Sequence, residues 1–225
     1  MVRNYTILVF LLLNSMFRKN QDLKTKQCLK THCNTIQTTN LKLEYFENVF
    51  NANESKIYME KLFTKVEWRR EKIIMWGKEI VTKRRIAWYA DKGKTYTYSG
   101  STFHPSIWNQ DLLKIKNRVE SLSNVFFNSV LLNEYTNGEV GMGWHSDDEK
   151  ELGKNPVIAS VSFGANRDFL FKHKFDKNHN KIKVHLKTGS LLLMLGSTQH
   201  YWKHSIPKRL KVKDPRINLT FRNII

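Results

Sequence analysis

The C-terminal stretch PRINLTFRNII places the tightest constraint on what this chain folds into. From Arg216 to Arg222 it alternates strictly, with Arg216, Asn218, Thr220 and Arg222 on one set of positions and Ile217, Leu219 and Phe221 on the other. A period of two is the mark of a β-strand with two unlike faces. The apolar face demands a core. The polar face has two readings: solvent exposure, the usual state of an alternating strand, or the wall of a polar cavity. The two guanidiniums lie roughly 20 Å apart along such a strand, so one small dicarboxylate bridges them only if twist and side-chain reach close much of that gap. The strand alone does not choose.

A chain of 225 residues with 40% apolar content and 12% aromatics is long enough and apolar enough for one domain with a sizeable core. The formal net charge of +18 exceeds what solubility requires and points to a polyanionic partner, nucleic acid before an anionic membrane. Two cysteines, Cys28 and Cys33, provide no disulfide framework, so a reducing compartment is expected. Together with His32 they offer too few ligands for a metal site. Near the start, Arg3 precedes ILVFLLL, a run of signal-peptide character that is too short to span a bilayer. No small-residue cleavage site follows; the basic, polar NSMFRKNQDLKTKQ does, and Met16 is an alternative start. Residues 1–40 therefore read as a disordered or targeting tail and residues 41–225 as a single domain.

Within that domain, Met59, Leu62, Phe63 and Val66 recur at helical spacing, with Asn53 as the expected N-cap. The stretch IIMWGKEIVTKRRIAWYADKGKTYTYSG is rich in β-branched and aromatic residues, broken by Gly77 and Lys92–Gly93, and predicts strands and hairpins. A second helix is predicted from near Pro105, with Trp108, Leu112, Ile115, Val119 and Leu122 as its apolar stripe. After Ser123 the chain becomes a series of short strands, NVFFNSVLLNEY, NPVIASVSFG, RDFLFKHK, KIKVHLKTGSLLLML and INLTFRNII, separated by turn signals. Many short strands at regular spacing suggest a sandwich or a double-sheet roll. The basic runs KHKFDKNHNKIKVHLK and WKHSIPKRLKVKD are expected on exposed connections, as a rim facing phosphates.

Between the first two late strands lies MGWHSDDE. His145 and Asp147 are two apart, so on extended chain both point the same way, and an imidazole with a carboxylate suits a divalent transition metal. A third ligand is needed, and residue chemistry alone leaves His173, His179, His185, His200 and His204 as candidates.

Asn133-Glu134-Tyr135, His145-Ser146-Asp147-Asp148-Glu149, ASVSFGANRDFLF, His204-Ser205-Ile206-Pro207 and Arg216-Ile217-Asn218-Leu219-Thr220-Phe221-Arg222 follow one another in an order that resembles the AlkB-like dioxygenases, closest to those that repair alkylated bases in double-stranded DNA. The likeness covers about residues 70–224. It implies an α+β protein: a double-stranded β-helix, or jelly roll, with flanking N-terminal helices and a nucleic-acid-gripping hairpin region. It implies Fe(II) held by His145, Asp147 and His204, with 2-oxoglutarate as co-substrate, and leaves His200 a bystander. Arg216 would pair with the distal carboxylate of 2-oxoglutarate and Arg222 would lie nearer the iron, beside Asp147. Asn133, Tyr135, Asn218 and Thr220 complete the co-substrate set.

The resemblance further implies oxidative demethylation of 1-methyladenine and 3-methylcytosine, releasing formaldehyde, succinate and CO2. Tyr96, Tyr98, Asp148 and Glu149 would form the base pocket, and Met75-Trp76-Gly77 would stand where relatives carry a duplex wedge written Val-Phe-Gly. The expected partner is damaged DNA, duplex before single-stranded, with RNA as an alternative substrate. The protein is expected to be monomeric and nuclear, a mitochondrial location being the second choice; secretion and stable membrane association are not expected. The alternatives are an RNA demethylase of the same fold and a catalytically inactive nucleic-acid-binding protein.

Overall fold

The computed structural model describes residues 33–75, 78–94, 96–98, 101–103 and 105–225. In chain order the strands and helices are β1 (Cys33–Thr38), β2 (Leu41–Phe46), α1 (Ala52–Lys65), β3 (Arg69–Met75), β4 (Lys78–Ala90), β5 (Tyr96–Tyr98), β6 (Ser101–Phe103), α2 (Gln110–Ser123), β7 (Ser129–Tyr135), β8 (Met142–His145), β9 (Ile158–Gly164), β10 (Arg167–His173), β11 (Ile182–Leu186), β12 (Ser190–Leu195), α3 (Thr198–Tyr201), β13 (Trp202–Ile206) and β14 (Arg216–Arg222). Among the described residues, pairing already starts at Cys33, ahead of Leu41, because β1 pairs along its whole length with β2, from Cys33↔Phe46 to Thr38↔Leu41. No helix among the described residues is long and apolar enough to cross a membrane.

The strands form two facing antiparallel sheets, the arrangement of a jelly roll, and a separate β5–β6 hairpin. The large sheet runs β1-β2-β12-β9-β14-β7-β4-β3 and the small one β11-β10-β13-β8. Alternation sorts the large sheet's side chains into two layers. Leu191, Leu193, Val161, Phe163, Val130, Leu132 and the β14 residues Ile217, Leu219 and Phe221 pack under α1 and α2. Leu192, Met194, Ile158, Tyr135, Trp88, Tyr45 and Leu43 face the small sheet, where they meet Phe169, Phe171, Val184 and Trp202. Strands such as SLLLML, apolar on both faces, are the ones buried on both sides.

Local details depart from the sequence expectation in ways that have physical reasons. Helix α1 is capped by Asn51, not Asn53: the Asn51 side chain accepts from the Glu54 N–H while the Glu54 carboxylate accepts from the Asn51 N–H, a reciprocal capping box. Phe63 is 45% exposed, so the stripe of α1 rests on Leu62 and Met59, with Val66 already past the last turn. Helix α2 begins at Gln110 because Asn109 caps it through the Leu112 N–H. Trp108 therefore precedes the helix, and its ring stacks on Phe221 at 6.4 Å. KIKVHLKTGSLLLML is two strands. Gly189 turns the chain at a φ of +73°, and a Cβ there would run into the Phe50 carbonyl.

Candidate active site

Strand β14 lies at the centre of the large sheet, between β9 and β7, and every one of its residues is buried. The polar face is therefore not wet. It looks into a cavity between the sheets whose lining includes Asn133, Tyr135, His145, Asp147, Glu149, His204 and the four polar residues of β14. Registry brings the partners together: Arg216 lies opposite Tyr135 and Asn218 opposite Asn133 on β7, while Asn218 faces Ser162 and Thr220 faces Ser160 on β9. Side chains directly opposite on antiparallel strands share a face.

Across the cavity, β13 and β8 pair with His204 directly opposite His145. Both imidazoles project inward and their Nε2 atoms approach to 3.1 Å. The His145 Nδ1–H donates to the Gly143 carbonyl at 2.9 Å in the tautomer that leaves its Nε2 lone pair facing His204. Asp147 follows β8, with its Oδ2 at 3.8 Å from His204 Nε2. The ligand atoms of His145, Asp147 and His204 all lie within 4.8 Å of one another, the one such cluster of histidine, cysteine and acidic side chains among the described residues. Cis ligand nitrogens about 2.1 Å from a metal sit about 3 Å apart, so the imidazole spacing already suits a shared cation. Two imidazoles and a carboxylate are the donor set expected for iron with open positions.

Electrostatics keeps His204 and Asp147 in their binding forms. Burial pushes His204 down to about 3, against the attraction of Asp147, so it is neutral at pH 7. Burial works to raise the Asp147 carboxyl, but Arg222, His204 and His145 more than offset this and hold it below the usual carboxylate range. Arg222 donates from Nη2 to Asp147 Oδ1 at 2.7 Å, leaving Oδ2 toward the histidines.

At the other end of β14, Arg216 is 1% exposed, and burial pushes its guanidinium down to about 10, with Tyr135 opposing the shift. Its Nη2 donates to Ser162 Oγ at 2.9 Å and Asn218 Oδ1 at 2.8 Å. Asn218 Nδ2 donates onward to Thr220 Oγ1, and Ser160 Oγ donates to Asn218 Oδ1. The Nε and Nη1 donors of Arg216 are buried and meet no hydrogen-bond partner among the described residues. A buried cation with unused donors suits an anion that enters the cavity, and a planar guanidinium suits a carboxylate.

The other expected residues are distributed unevenly. Glu149 lines the cavity with a buried, unpartnered Oε2, whereas Asp148 turns outward to Lys174 Nζ at 2.7 Å and is not part of the lining. His200 accepts from the Asn155 N–H at 3.1 Å, away from the cluster. Tyr96 and Tyr98 lie on β5, their side chains outside the described residues. Met75 ends β3, opposite Lys78, and Trp76 and Gly77 lie outside the described residues.

Residues that sequence reasoning passed over support the site. Gln199 accepts the Asp147 N–H at 2.9 Å while fully buried, and nothing in the sequence around it signals that role. Ser160 and Ser162 hold the polar ladder, and their alternation within ASVSFG was the available signal. Glu71 and Arg84 pair at 2.8 Å and line the cavity from β3 and β4.

Comparison with known proteins agrees with this geometry. The profile described as "2OG-Fe(II) oxygenase superfamily" matches residues 42–222. The chain is 39% identical over 186 residues to the DNA oxidative demethylase ALKBH2 of Bos taurus, covering 79% of this chain and 67% of that one. For the Homo sapiens protein of that name the identity is 39%, covering 79% of this chain and 71% of the other. For the Homo sapiens alpha-ketoglutarate-dependent dioxygenase alkB homolog 3 it is 38%, covering 77% and 63%. Among solved structures, "The structure of OsALKBH1" shares the fold, with a TM-score of 0.59 at 16% identity over 85% of this chain and 100% of that one. With its jelly roll, its inward His-Asp-His cluster and these likenesses together, the chain belongs to the 2OG-Fe(II) oxygenase superfamily, dioxygenases that use Fe(II) and 2-oxoglutarate.

Proposed function

We propose that this protein is a DNA oxidative demethylase that repairs N-alkylated bases such as 1-methyladenine and 3-methylcytosine. The observation that carries the reading is the pairing, in one cavity, of the inward-facing His145-Asp147-His204 donor set, its Asp147 and His204 buried, with a buried guanidinium, Arg216, that has donors to spare. Relatives named as DNA oxidative demethylases and a formal charge of +18 supply the substrate class.

In this reading His145, Asp147 and His204 hold the iron, and Arg222 keeps the Asp147 carboxylate ionised and oriented. Arg216, whose Nε and Nη1 have no partner among the described residues, would hold the distal carboxylate of 2-oxoglutarate, with Tyr135 and Asn133 opposite β14 and the Asn218–Thr220 ladder orienting the guanidinium. Iron with 2-oxoglutarate and O2 supplies the oxidation of the N-methyl group, so that succinate, CO2, formaldehyde and the restored base are released. Glu149, with an unused carboxylate oxygen in the cavity, is suited to the polar edge of a cationic base, and Tyr96 and Tyr98 to its faces. A duplex substrate must release its base into the cavity, and Trp76, between Met75 and Gly77, is the side chain suited to fill the gap. A nuclear location and a monomeric state go with this reading.

Formaldehyde release from 1-methyladenine oligonucleotides, as single and double strands of DNA and RNA, with and without Fe(II) and 2-oxoglutarate, tests it. Cofactor-dependent release from DNA is the expected result. Release from RNA alone would replace the substrate, and no release from any strand would leave a binding protein.

A further inference from the structure

The small sheet carries a feature that the metal chemistry does not use. Where β10 ends, the loop leading to β11 holds Phe175 74% exposed, and Tyr201 at the end of α3 is 38% exposed beside it. Their rings meet edge-to-face, with centroids 6.2 Å apart and planes at 83°. Single exposed apolar side chains are ordinary. Phe126, 84% exposed, has no ring contact among the described residues. Phe175 differs because a built frame holds it out in solvent.

That frame runs to the core. The Lys174 N–H donates to the Tyr201 carbonyl at 2.7 Å, and the N–H groups of Phe175 and Asp176 both donate to His173 Nδ1. His173 stacks on His179 at 4.9 Å and packs edge-on against Trp202, which is 1% exposed. The loop thus cannot turn Phe175 inward without breaking several of these contacts. Its net charge is basic: Lys177 follows the ring along the chain and Lys172 lies over the Trp144 indole at 4.6 Å, while Lys174 is paired with Asp148 and the one acidic residue of the loop, Asp176, with His179. The loop is also tied to the mouth of the site, because Lys174 Nζ bonds Asp148, the residue after Asp147.

We propose that Phe175, braced by Tyr201, is a stacking platform for an unpaired base of the same nucleic-acid strand that feeds its target base to the metal site. This rests on the nucleic-acid reading above and deepens it by adding a second contact with the strand. An exposed aromatic face among lysines fits a nucleotide, whose base stacks while its phosphate meets the charge. Reach agrees. Phe171 pairs with His204, and the chain from there to Phe175 spans at most about 13 Å, or roughly four stacked nucleotides along a strand. The platform would therefore take a base a few positions from the lesion.

The test is binding of fluorescently labelled single-stranded DNA carrying one 1-methyladenine, by the full chain without Fe(II) or 2-oxoglutarate, measured by anisotropy for the wild type, Phe175→Ala and Phe175→Tyr. The same strand is then used with one abasic position moved along it. Phe175→Ala is expected to bind roughly 5- to 150-fold more weakly, with an unchanged melting temperature, and Phe175→Tyr to restore binding. One abasic position should weaken the wild type by the same factor and leave Phe175→Ala no weaker than before. Equal binding by wild type and Phe175→Ala, or a loss that no abasic position reproduces, overturns the platform. Because this readout needs no turnover, wild type without formaldehyde release but with the abasic coupling would sink the demethylase reading alone.

Discussion

The two faces of β14 are both buried, and they are buried for different reasons. Ile217, Leu219 and Phe221 are fully consumed by packing under α1 and α2, and Trp108 and Phe127 close around Phe221. Arg216, Asn218, Thr220 and Arg222 are buried too, at 1–9% exposed, yet Arg216 keeps two unused donors. Burying polar groups without partners costs free energy, so a fold keeps such groups only where something else completes them. A filled face stabilises the sheet. A face with hydrogen-bonding capacity left over is built for a ligand.

The comparison breaks most visibly at the metal cluster that the polar face serves. His145→Ala is expected to reduce formaldehyde release to background while circular dichroism and melting stay close to wild type, since His145 is only partly buried. Asp147→Ala should lose turnover too, and stability with it, because Arg222 would face the cavity without its carboxylate. If either variant retains turnover, the cluster is not the metal site.

On the apolar face the effect should be on folding alone. Phe221→Ala is expected to cost about 3–5 kcal/mol of stability, read from denaturant unfolding, while the folded fraction keeps its apparent affinity for 2-oxoglutarate. A specific loss of co-substrate affinity in that variant would mean the two faces are not separable.

Arg216→Lys sharpens the contrast from the other side. A point charge replaces a planar fork at a buried carboxylate site, an interaction of about 1.5–3 kcal/mol. The apparent affinity for 2-oxoglutarate should fall roughly 10- to 150-fold, with DNA binding unchanged by anisotropy. Equal losses in both would place Arg216 outside the co-substrate site. The smallest effect is reserved for His200→Ala, which removes one acceptor from the Asn155 N–H. Activity should match wild type and stability should stay within about 0.5 kcal/mol, whereas His204→Ala should be inactive. A reversed pair would transfer the third ligand to His200.

Much of the site was legible because β-structure writes itself into sequence at a period of two. The alternation of β14 announced both of its faces, and His145 with Asp147 at a spacing of two announced a shared direction. The third ligand was not legible from residue chemistry alone. It is His204 because β13 pairs with β8 in the register His204↔His145, a contact made across a long stretch of chain. Gln199 was invisible for a related reason: its hydrogen bond to the Asp147 N–H depends on how α3 docks, and glutamine carries no spacing signal.

Boundaries behaved in the same way. Capping by Asn51 rather than Asn53 was decided by which asparagine meets Glu54 reciprocally, and the start of the sheet at Cys33 by pairing with β2. Asp148 and Glu149 are neighbours, with Glu149 the better candidate for a base's polar edge, and the fold separates them: one turns to Lys174 and the other to the cavity, as successive residues on extended chain do. By itself the sequence determined a two-faced central strand, a metal-competent His-x-Asp and a basic surface, because local periodicity and composition carry that information. Only the tertiary structure decided that the polar face is buried, which histidine completes the cluster and which donors are left unused. Those are questions of register and closure between sheets, and they are settled by contacts between residues far apart in the chain.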